Sequence, residues 1–163
     1  MRKIVVLLLL FLEIVYAQEF TLQTIEGKPI HLKMTPLELQ VAEFPGKVII
    51  LDFFGANCPP CVAEMPDLVK FQELFGKTVQ LIGIQSASQR DDKAMLKFVQ
   101  KHHLNYPVVN LQSATALISY AQKEIGWNGA LPYKLLYDFD GSLSYWIYGQ
   151  MTQEKLLSTL HDL

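Results

Sequence analysis

The two cysteines of this 163-residue chain stand in the stretch GANCPPCVAEMP, residues 55–66, with two prolines between them and Glu64 three residues beyond the second. Thiols at this spacing serve three kinds of chemistry: a disulfide that staples the chain, half of a metal site, or a pair that exchanges disulfides with another molecule. A staple stabilises by removing entropy from the unfolded chain, and a loop this short removes little. A structural zinc site takes four ligands, drawn from a second cysteine pair or from spaced histidines. His31, His102, His103 and His161 offer no spaced pair; His102 suits a core edge and His103 the solvent. No metal and no cofactor are expected beyond the redox-active Cys58–Cys61 pair, and exchange is the chemistry the spacing favours.

Exchange assigns a role to each neighbour. Cys58 falls at a predicted junction of strand and helix, where free amide N–H groups and the helix dipole stabilise a thiolate and make it the nucleophile. Pro59 and Pro60 fit the first helical turn, which has no use for their missing N–H groups, and they stiffen the loop between the sulfurs. Cys61, one turn in, is the resolving thiol that attacks the mixed disulfide and frees the reduced substrate. It needs a proton acceptor. Asp52, inside an apolar run where burial raises a carboxyl pKa, and Glu64, on the same side of the helix as Cys61, are both candidates. The competing readings are a solvated helix residue for Glu64 and an acid tied up in a backbone turn for Asp52. Two acids and two thiols this close would titrate as a coupled set.

The elements that must place these residues follow from the hydrophobic pattern. Residues 20–32 alternate around Glu26-Gly27-Lys28 and predict a hairpin. The run VIILDFF, residues 48–54, is apolar almost throughout, as befits a central strand covered on both faces. A helix is expected from Pro59 to near Gly76, with Val62, Met65, Leu68, Val69 and Phe71 to Leu74 on its apolar face. Residues 79–85 form the next buried strand. A helix beginning near Asp91 places Met95, Phe98, Val99 and His102 on one face. A short strand follows at residues 106–110, a third helix at 114–125, and a hairpin around Asp140-Gly141. Thr152 caps a last helix whose Leu156, Leu157 and Leu160 face inward. The order predicts an α/β fold, a sheet between helices with an N-terminal β-hairpin.

The chain as a whole sets the compartment. Arg2 and Lys3 precede an apolar run at residues 4–12, and Val15-Tyr16-Ala17 offers small residues for cleavage, so residues 1–17 read as a secretory leader cut before Gln18. The rival reading is an uncleaved anchor formed by residues 4–17, against which Glu13 arrives too soon for a spanning helix. One domain, residues 18–163, remains. Its length supports a sizeable core, so it needs no disulfide merely to fold. A net charge of −2 and no basic patch speak against nucleic acid as a partner. Outside the cytosol disulfides form and persist, which suits the dithiol.

The stretch VIILDFFGANCPPCVAEMPDL, with Pro66 kinking the active-site helix, together with GALPYKLLYDFDG downstream, resembles the thioredoxin fold. More narrowly, it resembles the TlpA/ResA group of exported thiol-disulfide oxidoreductases, over residues 20–163. The resemblance implies a central mixed sheet flanked by helices on both faces. It also implies a cis peptide at Pro132, facing the cysteines and presenting the backbone of Leu131 to an extended substrate, and it matches Gly149 to the glycine before the last helix. Asn57 stands where an aromatic residue commonly precedes the first cysteine, and it is expected to shape the substrate groove. Val62 replaces a basic residue, Tyr133 a threonine, and Asp52 an asparagine frequent in the group. Trp127 has two readings, lining the same groove or packing in the core.

The protein is expected to be periplasmic, and a monomer. The same resemblance implies that it reduces disulfides in exported proteins such as apocytochrome c, at the Cys-x-x-Cys-His site, and receives electrons from a membrane thiol conduit of the DsbD/CcdA kind. The alternatives are a disulfide oxidase or isomerase on the same fold, and a copper-binding metallochaperone in which the thiolates hold the metal. The methionines are scattered and read as filler.

Overall fold

The computed structural model describes residues 16–161, so the apolar run at residues 4–12 lies outside the described residues. The chain runs β1 (Gln18–Gln23), β2 (Pro29–Met34), β3 (Leu39–Val41), β4 (Val48–Gly55), α1 (Pro59–Phe75), β5 (Val79–Ala87), α2 (Asp92–His102), β6 (Val108–Val109), α3 (Leu111–Glu124), β7 (Tyr133–Tyr137), β8 (Leu143–Tyr148) and α4 (Gln153–His161). Five strands form the central sheet in the order β6-β5-β4-β7-β8. β4, β5 and β6 are parallel because a helix carries the chain back over the sheet between them, while β7 and β8 run antiparallel.

β4 lies in the middle of that sheet, which is why it reads as an unbroken apolar run: every residue after Val48 is buried. Its side chains alternate between two cores. Ile49, Leu51 and Phe53 face α3 and the β1-β2-β3 sheet, whereas Ile50 and Phe54 face α1, α2 and α4. Asp52, between them in register, belongs to the second side, and so does the start of α1. The expected mixed sheet with helices on both faces is therefore present.

Three details depart from the pattern reading. The N-terminal hairpin gains a third strand, β3, too short for alternation to reveal. α3 begins at Leu111 rather than 114, because the Asn110 side chain accepts from Ser113 N at 2.8 Å and caps the helix. Leu157 and Leu74 face solvent, and Thr159 takes the place expected for Leu157 on the buried side of α4. Thr152 caps α4 as expected, its hydroxyl accepting from Lys155 N. Among the described residues no helix is long and apolar enough to cross a membrane.

Candidate active site

β4 delivers the dithiol to the C-terminal end of the central strand, where α1 begins. At its end Gly55 allows a close approach that a side chain would crowd: a Cβ there would meet Cys58 Cβ at 3.3 Å and Leu131 Cδ1 at 3.4 Å. The chain turns at Ala56 and Asn57, Cys58 N donates to Gly55 O, and Cys58 becomes the N-cap of α1 with an extended backbone. Its sulfur accepts from Cys61 N at 3.3 Å, so a helix-end donor points at the sulfur that is to carry the negative charge. Pro59 and Pro60 occupy the first two helical positions. Cys58 and Cys61 are joined as a disulfide, with Cys58 half-buried and Cys61 buried. This is the division the exchange reading requires, an outer sulfur open to attack and an inner one out of reach.

The Leu131–Pro132 peptide is cis, and Pro132 O accepts from Gly149 N at 2.9 Å, tying the loop to the end of β8. Gln150 Nε2 donates to Pro60 O at 3.1 Å, so the next residue grips the dithiol loop itself. Asn57 is exposed, and its Oδ1 accepts from the Arg90 guanidinium at 2.7 Å. Arg90 also lies over the Phe98 ring, 5.6 Å from its centroid. A cation from the β5–α2 loop is thus held against the residue next to Cys58.

One helical turn beyond Cys61, on the buried side of α1, lies a charge cluster. β4 and β7 pair so that Asp52 stands opposite Lys134, both on the α1 side of the sheet. Glu64 reaches them from α1. Lys134 Nζ donates to Glu64 Oε1 at 2.6 Å and lies 3.1 Å from Asp52 Oδ1, a close charge contact without hydrogen-bond geometry. Glu64 Oε2 accepts from Met151 N at 2.8 Å. Lys134 is 0 % exposed, Asp52 1 % and Glu64 2 %; neither the solvated reading of Glu64 nor the turn-bound reading of Asp52 describes them. Burial pushes the Glu64 carboxyl up to about 7, a rise that Lys134 opposes and Asp52 reinforces. Burial pulls Lys134 down, but the two carboxylates outweigh it and hold the ammonium above its ordinary pKa.

Of the two readings of Trp127, its burial favours the core: the ring is stacked on Tyr133 at 5.5 Å and packed on Phe53 at 4.9 Å. Its indole N–H donates to Ala130 O at 2.9 Å and thereby supports the loop that carries Leu131. His102 packs at the core edge against the Phe98 ring. Sequence reasoning missed Lys134 and Arg90. Lys134 left a signal, a lone cation inside the apolar strand YKLLY whose residues are all buried; Arg90, in a polar loop, left none.

Two clefts of about 570 and 510 Å³ lie against the β1-β2-β3 sheet, and neither is lined by Cys58, Cys61 or Leu131. The outer sulfur instead stands among exposed Asn57, Pro59 and Pro60.

The redoxin family model matches residues 17–162. The thiol-disulfide oxidoreductase ResA of Bacillus thuringiensis (strain Al Hakam) is 33% identical over 143 residues, covering 86% of this chain and 72% of that protein. ResA of Geobacillus thermodenitrificans is 27% identical over 148 residues, covering 90% and 75%. Among solved structures, StoA from Bacillus subtilis superposes with a TM-score of 0.65 at 22% identity, covering 90% of this chain and 98% of its own. A secreted Mycobacterium tuberculosis disulfide oxidoreductase, described as homologous to Escherichia coli DsbE, gives 0.64 at 27% identity, covering 88% and 96%. The matched span takes in the strand, the dithiol helix and the Leu131–Pro132 loop together, and the chain belongs to the redoxin family as a thiol-disulfide oxidoreductase of the ResA kind.

Proposed function

We propose that this oxidoreductase acts outside the cytosol as a monomeric reductant of disulfides in exported proteins. Apocytochrome c, with its Cys-x-x-Cys-His site, is the first substrate to test, and a membrane thiol conduit of the DsbD/CcdA kind is the source of electrons. In the forward reaction the Cys58 thiolate attacks one sulfur of the substrate disulfide. The other substrate sulfur leaves as a thiolate and takes a proton. Cys61 then gives its proton to the Glu64–Asp52 carboxylate pair and attacks Cys58 Sγ, which releases the second substrate sulfur. Two electrons pass to the substrate, and the Cys58–Cys61 disulfide is left behind. Leu131 offers its backbone to an extended substrate beside Pro132, and Asn57 borders the same approach.

The observation that carries the direction is the buried cluster of Asp52, Glu64 and Lys134, two carboxylates against one ammonium. Excess negative charge behind Cys61 opposes thiolate formation and so withholds from the reduced form the stabilisation an oxidant needs. Export is supported by the leader pattern and by the likeness to the secreted Mycobacterium tuberculosis oxidoreductase. One observation favours the opposite direction: Arg90, held at Asn57, favours a Cys58 thiolate. The reduction potential decides between the two. A potential more reducing than the glutathione pool is expected, and a strongly oxidising one would make the protein an oxidase. Trapping with Cys61→Ser identifies the substrate: mixed disulfides with apocytochromes are the expected catch, and a broad set of other exported proteins would point to general thiol repair.

A further inference from the structure

Lys134 is costly where it stands. An ammonium with no exposure loses its hydration, and an apolar side chain paired with a neutral residue at 52 would fill the same space with less loss. What the lysine does is grip both acids. Its Nζ reaches Glu64 Oε1 at 2.6 Å and Asp52 Oδ1 at 3.1 Å, while Met151 N holds the other Glu64 oxygen at 2.8 Å. Both Glu64 oxygens are therefore pinned by donors from β7 and from the segment before α4. The carboxyl is fixed one helical turn beyond Cys61, where i and i+3 side chains are neighbours.

We infer that Lys134 is a positioning residue for disulfide exchange: shared between Asp52 and Glu64, it holds the Glu64 carboxyl in place behind Cys61 and sets the pH at which that carboxyl gives up its proton. This rests on the reading of Glu64 as the proton acceptor for Cys61. The groups facing Glu64 are Asp52 from β4, Lys134 from β7, the Met151 N–H and, one turn back, Cys61; the buried Tyr106 hydroxyl senses the same two carboxylates. With all three side chains ionised the cluster carries one net negative charge, so a proton on the acid pair neutralises it. Removing the ammonium removes the main electrostatic pull toward the ionised form, whereas removing Asp52 removes a push toward the protonated one.

The test is the pH profile of kcat/KM for reduction of a peptide disulfide between pH 5 and 9, with folding checked by circular dichroism. The wild-type protein should show an inflection near pH 7. Lys134→Met should move it up by about 1–3 pH units, the range for loss of an adjacent opposite charge. Asp52→Asn should move it down. Lys134→Met/Asp52→Asn keeps the net charge of the cluster, which protects folding should the single lysine variant fail to fold, and its inflection should still move up because Lys134 acts on Glu64 more strongly than Asp52 does. A double-variant profile that overlays the wild type overturns the inference. Glu64→Gln separates the two ideas: if the wild-type inflection survives in that variant, the acceptor reading of Glu64 fails, whatever the lysine variants show.

Discussion

Glu64 sits where a carboxyl would normally be charged and exposed, and its burial makes folding itself depend on pH. Its folded pKa of about 7 is above the ordinary value of 4.5, so between those values the native chain keeps a proton that the unfolded chain has released. The contribution is fully present below pH 4.5 and is lost as pH rises toward 7, up to about 3 kcal/mol for a shift of that size. Denaturant melts from pH 4 to 8 should show this fall, and Glu64→Gln should flatten it. Cys58→Ser should reduce disulfide exchange to background in an insulin-reduction assay, since it removes the half-exposed sulfur of the pair. Much of the cluster was legible in the residues. Cys61, Glu64, Met65 and Leu68 follow the i, i+3, i+4, i+7 spacing of one buried helix face. Lys134 was not legible as a partner, because its neighbour Asp52 is set by the register of β4 on β7, and register is a property of the assembled sheet.

The turns that hold elements together answer to backbone geometry more than to pattern. The β7–β8 turn is docked on the N-terminal sheet, where Leu39 N donates to Gly141 O, and a Cβ on Gly141 would come within 2.6 Å of Leu39 O in a backbone already at φ +90°. Gly141→Ala should therefore cost about 2–3 kcal/mol, strain and displacement together. Gly149 has a similar φ of +84° but open space, so Gly149→Ala should cost only about 1 kcal/mol. Thermal melts of the two variants separate crowding from conformational preference. The hairpin itself was readable from Asp140-Gly141, as were β4, α1, β5 and α2, because each has a strong period or punctuation. β3 is not legible since three residues carry no period, and the start of α3 is not since the pattern assigns Asn110 to a strand, whereas it is a cap. Trp127 shows the same limit: an aromatic residue suits groove and core alike until the ring it stacks on, Tyr133, is in place.

The dithiol and the core form one mechanical unit. α1 carries Cys61 at one end and buries Met65, Leu68 and Phe71 along the sheet, so whatever stabilises one redox state of the sulfurs also stabilises the packed helix. A thermodynamic cycle links the two: the stability difference between oxidised and reduced protein equals the difference in ease of closing the disulfide in the folded and the unfolded chain. In the unfolded chain the sulfurs meet with no help from a fixed helix start. In the folded chain they are already apposed, and the reduced form must keep Cys61 beside a cluster bearing excess negative charge. The disulfide should then be favoured by folding, so the oxidised protein should resist denaturant better than the reduced one, by about 1–3 kcal/mol. At about 30 mV for 1.4 kcal/mol, that corresponds to a potential some tens of millivolts more reducing than that of the unfolded dithiol. Parallel denaturation with and without excess reductant measures it. If the reduced protein were the more stable, thiolate stabilisation by Arg90 and the helix start would outweigh the carboxylates, and the protein would act as an oxidase.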